Sequence, residues 1–329
     1  MKTNYGKAIN LAFEYLLNKY PEVFVIGQGL WSPWYVGNSM TDLDKKFGID
    51  RIIDTPVSES AVTGAGVGAS LAGMKPIVIH PRMDFMLYSM DAIINQAAKW
   101  SYIFSGQAHP GVTFRAIINR GGEQGAQHSQ ALHSIFAHIP GLRVVMPSSV
   151  KDARDLLISS VLSPDPVLYI DDRWLYSLED DLEDIKEISL ALEVPKIISE
   201  GNDITIVGIG FSTQIILKAK QHFDERNISV EIIDLRILNP LMPNSIIDSV
   251  RKTHHLIVVD NAWKTCGMAS EVIASTMENI NPNELYQPPS RLTLPDCPAP
   301  TSEKLEKVYY LNEKVVIEKV ESILNKSKK

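Results

Sequence analysis

Short apolar runs of strand length alternate with helix-length segments almost from end to end, and that alternation restricts the chain to few architectures. Val23–Ile26, Pro76–Ile79, Val112–Ile118, Arg143–Val145 and Val167–Ile170 read as buried strands, each separated from the next by a helical pattern or a Gly-rich loop. Uninterrupted apolar strands joined by helices define an α/β fold whose mostly parallel sheet is covered on both faces. From Ser177 to Glu193 the pattern gives way to an acidic stretch poor in core residues, after which alternation resumes with Ile204–Ile209, Ser212–Glu225, Val230–Asp234, Asn244–Arg251 and Leu256–Val259. We therefore expect two α/β domains, 1–185 and 201–329, joined by a linker at 186–200.

Composition excludes several functions. A chain of 329 residues with formal charge −7 offers no basic surface for nucleic acid. No stretch approaches the roughly 20 apolar residues needed to span a membrane, and the N-terminus runs into an amphipathic helix without a signal-peptide core. The expectation is a soluble, cytoplasmic protein. Its two cysteines, Cys266 and Cys297, lack C-x-x-C spacing and suit neither a disulfide framework nor a zinc site; they read as buried fillers.

Two glycine patterns invite a dinucleotide-binding reading. Strand, Gly208-Ile209-Gly210, helix and strand ending in Asp234 resemble part of such a fingerprint, and an NAD-binding dehydrogenase is the alternative of another class. Thr213, however, occupies the third small-residue position. Gly64-Ala65-Gly66-Val67-Gly68-Ala69 sits inside a helix running from Ser58 to Ala72, where its glycines suit close packing.

Three further segments carry a resemblance: Asp54-Thr55-Pro56-Val57-Ser58-Glu59; Asp84-Phe85 followed by Asp91-Ala92-Ile93-Ile94-Asn95-Gln96-Ala97-Ala98-Lys99; and His128-Ser129-Gln130 followed by His138-Ile139-Pro140-Gly141-Leu142. Together they resemble the beta subunits of thiamine-diphosphate-dependent 2-oxoacid dehydrogenases of the pyruvate, branched-chain and acetoin type, within the transketolase-like superfamily. The resemblance implies a pyrimidine-binding domain and a transketolase-type C-terminal domain. It implies that Glu59 hydrogen-bonds the cofactor aminopyrimidine and promotes loss of the thiazolium proton. By itself, Glu59 could equally be a helix-capping glutamate near Ser58.

Phe85 alone reads as core; the resemblance puts it beneath the pyrimidine. His128, after the loop Gly121-Gly122-Glu123-Gln124-Gly125, is implied near the substrate channel, where a neutral-pH proton shuttle would serve. Gln28 stands at a cofactor-facing position where the family commonly has glutamate. Arg82 stands where the family has an uncharged residue, and we expect it to read an acidic or phosphate group on the substrate; a salt bridge to a partner is the competing reading.

No Gly-Asp-Gly occurs in the chain, so the resemblance assigns the diphosphate and Mg2+ to a separate alpha subunit, completing the site in an α2β2 heterotetramer. Ser160, Val161, Ser163 and Asp165 are the implied surroundings of a structural potassium ion (K+). The implied reaction is decarboxylation of a 2-oxoacid and transfer of the acyl or aldehyde unit to a lipoyl group on an acyltransferase. Asp260-Asn261-Ala262-Trp263 departs from the acidic pattern usual after that strand and makes docking to such a core less secure. A split transketolase or carboligase is therefore the second reading, and a silent scaffold for the alpha partner the third.

Overall fold

A computed structural model describes residues 2–327. The chain divides into two compact units: one comprises the chain up to Arg120 together with His128–Glu193, the other Gly121–Gln127 together with the chain from Val194.

In the main sheet of the first unit these strands lie in the order Arg143–Val145, Val167–Asp172, Thr113–Ile118, Lys75–His80, Val23–Gln28, Ile52–Thr55, all parallel, while Lys2–Asn4 and Glu179–Asp181 form a separate antiparallel pair. Every residue of Thr113–Ile118 and Val167–Asp172 is buried, which is why these strands read as unbroken runs rather than alternating ones. Asp171 and Asp172 are charged exceptions, and so is Arg115. It is wholly buried and forks onto Asp171 of the neighbouring strand, with Nε–Oδ1 and Nη2–Oδ2 both at 2.9 Å, while Nη2 also reaches Ser39 Oγ and Tyr176 Oη. These bonds satisfy Nε and Nη2 where water cannot, while Nη1 is buried without a partner.

The Gly-rich segment is the helix Glu59–Leu71. A Cβ on Gly66 would lie 2.4 Å from Val78 Cγ2, so glycine lets this helix lie against the strand Lys75–His80; Gly64 and Gly68 face open space. Strand order also sets the position of the site. The chain leaves Val23–Gln28 toward one sheet edge and Lys75–His80 toward the other, which opens a crevice at the C-terminal ends of these two neighbouring strands.

In the second unit the order is Ser290–Leu294, Leu256–Trp263, Ile204–Ile209, Val230–Asp234, Lys196–Ser199; only Lys196–Ser199 runs antiparallel. The stretch expected as a linker, 186–200, thus ends in a paired edge strand. Helices Phe211–Glu225 and Glu313–Ser327 contribute Ile216, Phe223, Val316 and Val320 to a core with Ile206 and Ile232 of the sheet. Thr213 donates to Asp234 Oδ1 at 3.3 Å, and Asp234 is only 1% exposed. The acid that would bind a ribose is therefore buried beneath the side chain occupying the third glycine position, which removes the basis of the NAD reading.

Gly121–Gln127 belongs to this second unit through specific contacts. The Glu123 N–H donates to Glu306 Oε1 at 3.0 Å, Glu123 Oε1 accepts from the Glu303 N–H at 3.1 Å, and Gly125, at φ +73°, leaves room for Thr301. The cysteine expectation was wrong: Cys266 and Cys297 are both free and exposed. Cys266 lies at φ +54° in the turn after Leu256–Trp263, and Cys297 follows Ser290–Leu294 in a turn whose N–H bonds Pro295 O. Among the described residues no helix is long and apolar enough to cross a membrane.

Candidate active site

A cavity of about 530 Å³ opens at the crevice, lined by Gln28, Trp34, Tyr35, Glu59, His80, Arg82, Phe85 and His128 among others. Each side chain arrives from the C-terminal end of a strand or the segment beyond it. Gln28 ends Val23–Gln28, Glu59 opens the helix after Ile52–Thr55, His80 ends Lys75–His80, and Arg82 and Phe85 follow it. The structure therefore brings together Glu59, His128, Phe85, Gln28 and Arg82, all singled out from the sequence. The capping alternative for Glu59 lacks support: Ser58 makes no side-chain cap bond and its hydroxyl donates to Val57 O instead.

Phe85 is half-buried, and its ring meets the His128 imidazole edge to face, with centroids 5.2 Å apart and planes at 81°. Asp84 fixes that contact. Its Oδ1 accepts from the Gln130 N–H at 3.0 Å and from Gln130 Nε2 at 2.9 Å, tying the segment that carries His128 to the one that carries Phe85. Burial pushes the Asp84 carboxyl above its ordinary range, opposed by those Gln130 bonds. On the opposite side, Asp54 Oδ1 accepts the Gly29 N–H at 2.6 Å, and Gly29 takes φ +67°, turning the chain away after Gln28. A carboxylate and an aromatic wall converging on one cavity suit an aminopyrimidine.

His80 is buried, and burial lowers its imidazole to about 4, so the ring is neutral near pH 7. The Thr63 hydroxyl donates to Ser89 Oγ at 2.8 Å, which leaves His80 Nε2, 3.3 Å away, to donate to Thr63 Oγ1. Arg82 is half-buried; desolvation and the nearby Arg173 both disfavour its charge, while Asp84 favours it.

Asn119 and Arg173 went unnoticed in the sequence. Asn119 Nδ2 donates to Pro81 O at 2.9 Å, its Oδ1 accepts from Arg173 Nε at 3.1 Å, and Arg173 Nη2 donates to Tyr35 O at 2.7 Å. The only advance sign was position, since both follow the C-terminal ends of parallel strands.

Around Ser160, Val161, Ser163 and Asp165, Lys75 Nζ donates to Val161 O at 3.5 Å and Arg143 Nε to Asp165 Oδ2 at 3.1 Å, while Ser160 O accepts the Ser163 N–H at 3.3 Å. Of the backbone oxygens of this turn, Val161 O thus meets Lys75 and Ser160 O an amide, while Arg143 meets a side-chain oxygen of Asp165. Among the described residues, no group of three or more His, Cys, Asp or Glu side chains is placed to hold a metal ion.

Comparison with known proteins follows the same lines. Residues 1–177 match the transketolase pyrimidine-binding domain and residues 195–316 the transketolase C-terminal domain. The chain is 35% identical to the acetoin:2,6-dichlorophenolindophenol oxidoreductase subunit beta of Cupriavidus necator, covering 92% of this chain and 91% of that one. It is 34% identical to the mitochondrial pyruvate dehydrogenase E1 component subunit beta-1 of Arabidopsis thaliana, covering 98% and 87%. The chain belongs to the 2-oxoacid dehydrogenase beta-subunit family. Like other beta subunits of this transketolase-like, thiamine-diphosphate-dependent group, it is one component of a heteromeric enzyme and implies an alpha partner. The beta-subunit fold also matches a solved split-gene transketolase, described as an inactive beta4 tetramer, with a TM-score of 0.77 at 18% identity over 98% of both chains.

Proposed function

We propose that this beta subunit supplies the pyrimidine-binding and proton-handling half of an active site that decarboxylates a 2-oxoacid. The observation that carries the reading is the convergence of Glu59, Phe85 and His128 on one cavity, with Phe85 and His128 in ring contact. Thiamine diphosphate, when bound, supplies a carbon nucleophile and an electron sink for the pair released with CO2. The Glu59 carboxylate holds a proton against a pyrimidine ring nitrogen, Phe85 presents the flat face on which that ring lies, and His128 exchanges a proton at the substrate side. Gln28, which lines the cavity, offers an uncharged amide where the resemblance expects an acid.

The alpha subunit holds the diphosphate and Mg2+ in an α2β2 assembly, and the fragment passes to a lipoyl group on an acyltransferase. A structural potassium ion at the turn of Ser160, Val161, Ser163 and Asp165 is a further part of this reading. Two exposed, free cysteines suit a reducing compartment such as the cytoplasm.

The decisive experiment is Glu59→Ala in the purified heteromeric enzyme. Assembly should remain intact while 2-oxoacid decarboxylation falls by about 10²- to 10⁴-fold, the usual contribution of a positioned acid–base group. Undiminished turnover would overturn the reading. Supplying free lipoyl domain or an aldehyde as acceptor separates acyl transfer from carboligation.

A further inference from the structure

The helix Pro33–Val36 spans four residues, so the N–H groups that would take the carbonyls of Trp34 and Tyr35 in a longer helix lie beyond it. Arg173 meets those carbonyls instead. Its Nη2 donates to Tyr35 O at 2.7 Å and to Trp34 O at 3.3 Å. Gly37, at φ +60°, ends the helix and allows this approach, since a Cβ there would lie 2.6 Å from Arg173 Nη1.

Arg173 is held in turn. Asn119 Oδ1 accepts its Nε at 3.1 Å, and its Cζ lies 5.1 Å from the centroid of the Tyr176 ring. Asn119, only 5% exposed, gives its Nδ2 to Pro81 O at 2.9 Å. The brace runs from the segment after Val23–Gln28 to Arg173, just beyond Val167–Asp172, then to Asn119, just beyond Thr113–Ile118, and on to Pro81, just beyond Lys75–His80. These four strands are consecutive in the sheet, so two hydrogen-bonded side chains stitch together the chain at all four C-terminal ends.

The braced segment presents Trp34 and Tyr35 to the cavity. The Tyr35 ring rests on the Gly29 turn, where a Cβ would lie 2.5 Å from Tyr35 Cγ, and Trp34 is 88% exposed. On the proposed function Glu59 and Phe85 are taken by the pyrimidine, and Arg82 is engaged within the chain. That leaves Trp34 and Tyr35 as the large apolar side chains of the cavity lining that can meet the substrate. Rings fixed by their backbone gain from burial when a ligand covers them and lose little conformational freedom in doing so. We propose that Arg173 and Asn119 are positioning residues that hold Trp34 and Tyr35 as a fixed wall, and that this wall packs against the apolar, non-reacting end of a 2-oxoacid larger than pyruvate. This rests on the proposed function, because it places the reacting carbon in the same cavity.

Contacts to a non-reacting end are equal in the bound substrate and the transition state, so losing them raises KM and leaves kcat in place. The test uses the complete heteromeric enzyme loaded with thiamine diphosphate and Mg2+, with pyruvate, 4-methyl-2-oxopentanoate and phenylpyruvate as substrates. One of the larger two should show the highest kcat/KM. For that substrate Trp34→Ala, a change at an exposed side chain, should raise KM by about 10-fold with kcat within about twofold. Arg173→Met should raise KM similarly, and Arg173→Lys should restore part of the loss. Adding Trp34→Ala to Arg173→Met should raise KM little further, because Arg173 acts through the wall. Trp34→Ala decides by itself if Arg173→Met does not assemble. An unchanged KM in assembled Trp34→Ala enzyme, a wild-type preference for pyruvate, or increases in KM that multiply independently in the double variant would overturn the wall while leaving the proposed function intact. Loss of assembly in Trp34→Ala would do the same, because it would give that side chain to the alpha subunit. Failure of the wild-type enzyme to decarboxylate any 2-oxoacid would overturn both.

Discussion

Acidification should destabilise the first unit through one side chain, His80. Burial holds its folded-state imidazole at about 4, against about 6.5 in the unfolded chain. Between these values the unfolded state binds a proton that the folded state refuses, so stability rises with pH across this window. The contribution is complete above about pH 6.5, declines as pH falls toward 4, and changes no further below it. At about 1.4 kcal/mol per pH unit, the loss across the window amounts to about 3 kcal/mol.

His80→Gln preserves the polar contact to Thr63 Oγ1 while removing the titration, so carboxylates that titrate over the same range cancel in the comparison. Urea unfolding of both proteins at pH 7.0, 5.5 and 4.5 should show the wild type losing about 2.4 kcal/mol more than the variant between the first and last of these. Parallel pH dependences would refute the reasoning, because they would mean that His80 accepts a proton in the folded state as readily as in the unfolded chain.

Other perturbations test the scaffold. Arg115→Met should destabilise the first unit by about 3–5 kcal/mol, because it strands Asp171 in the interior; adding Asp171→Leu should recover much of that loss in the same denaturation assay. Gly66→Ala forces a methyl against Val78 and should cost about 1–3 kcal/mol, whereas Gly64→Ala meets nothing within 4 Å and should raise stability by about 1 kcal/mol; thermal melts of the chain without its partner separate the two. Asp84→Ala releases Gln130 and should speed amide exchange at 128–130, with turnover falling as His128 loses its seat beside Phe85.

Much of this was legible in the sequence, and the parts that were not share a cause. Strands such as Thr113–Ile118 announced themselves because a parallel sheet covered on both faces demands apolar side chains in both directions. Glu59 and Phe85 stood out only through the resemblance of the segments that carry them to a known family, and the crevice collects whatever follows strand ends. By contrast, Asn119 and Arg173 lie 54 positions apart, and nothing local marks an amide that will bridge them. The partial dinucleotide pattern misled for a related reason: only the fold shows Thr213 bonded to Asp234. The cysteines were misjudged from residue-type habit, since a left-handed turn position at Cys266 outweighs the preference of a thiol for the interior.

The attachment of Glu123 to Glu303 and Glu306 bears on how such a gene can be divided. A fragment begun at Val194 would carry almost all of the second unit yet lack the short loop that its own helix Glu303–Tyr309 binds. The Glu306 carboxylate, only 7% exposed in the whole chain, would lose the Glu123 N–H that helps satisfy it. Recombination at the acidic stretch is thus not a neutral cut: a transplanted C-terminal half needs a host loop with an acceptor for the Glu303 N–H and a donor for Glu306. Compatible halves are those whose loops match, a restriction on domain exchange carried by a few residues placed far upstream of the junction.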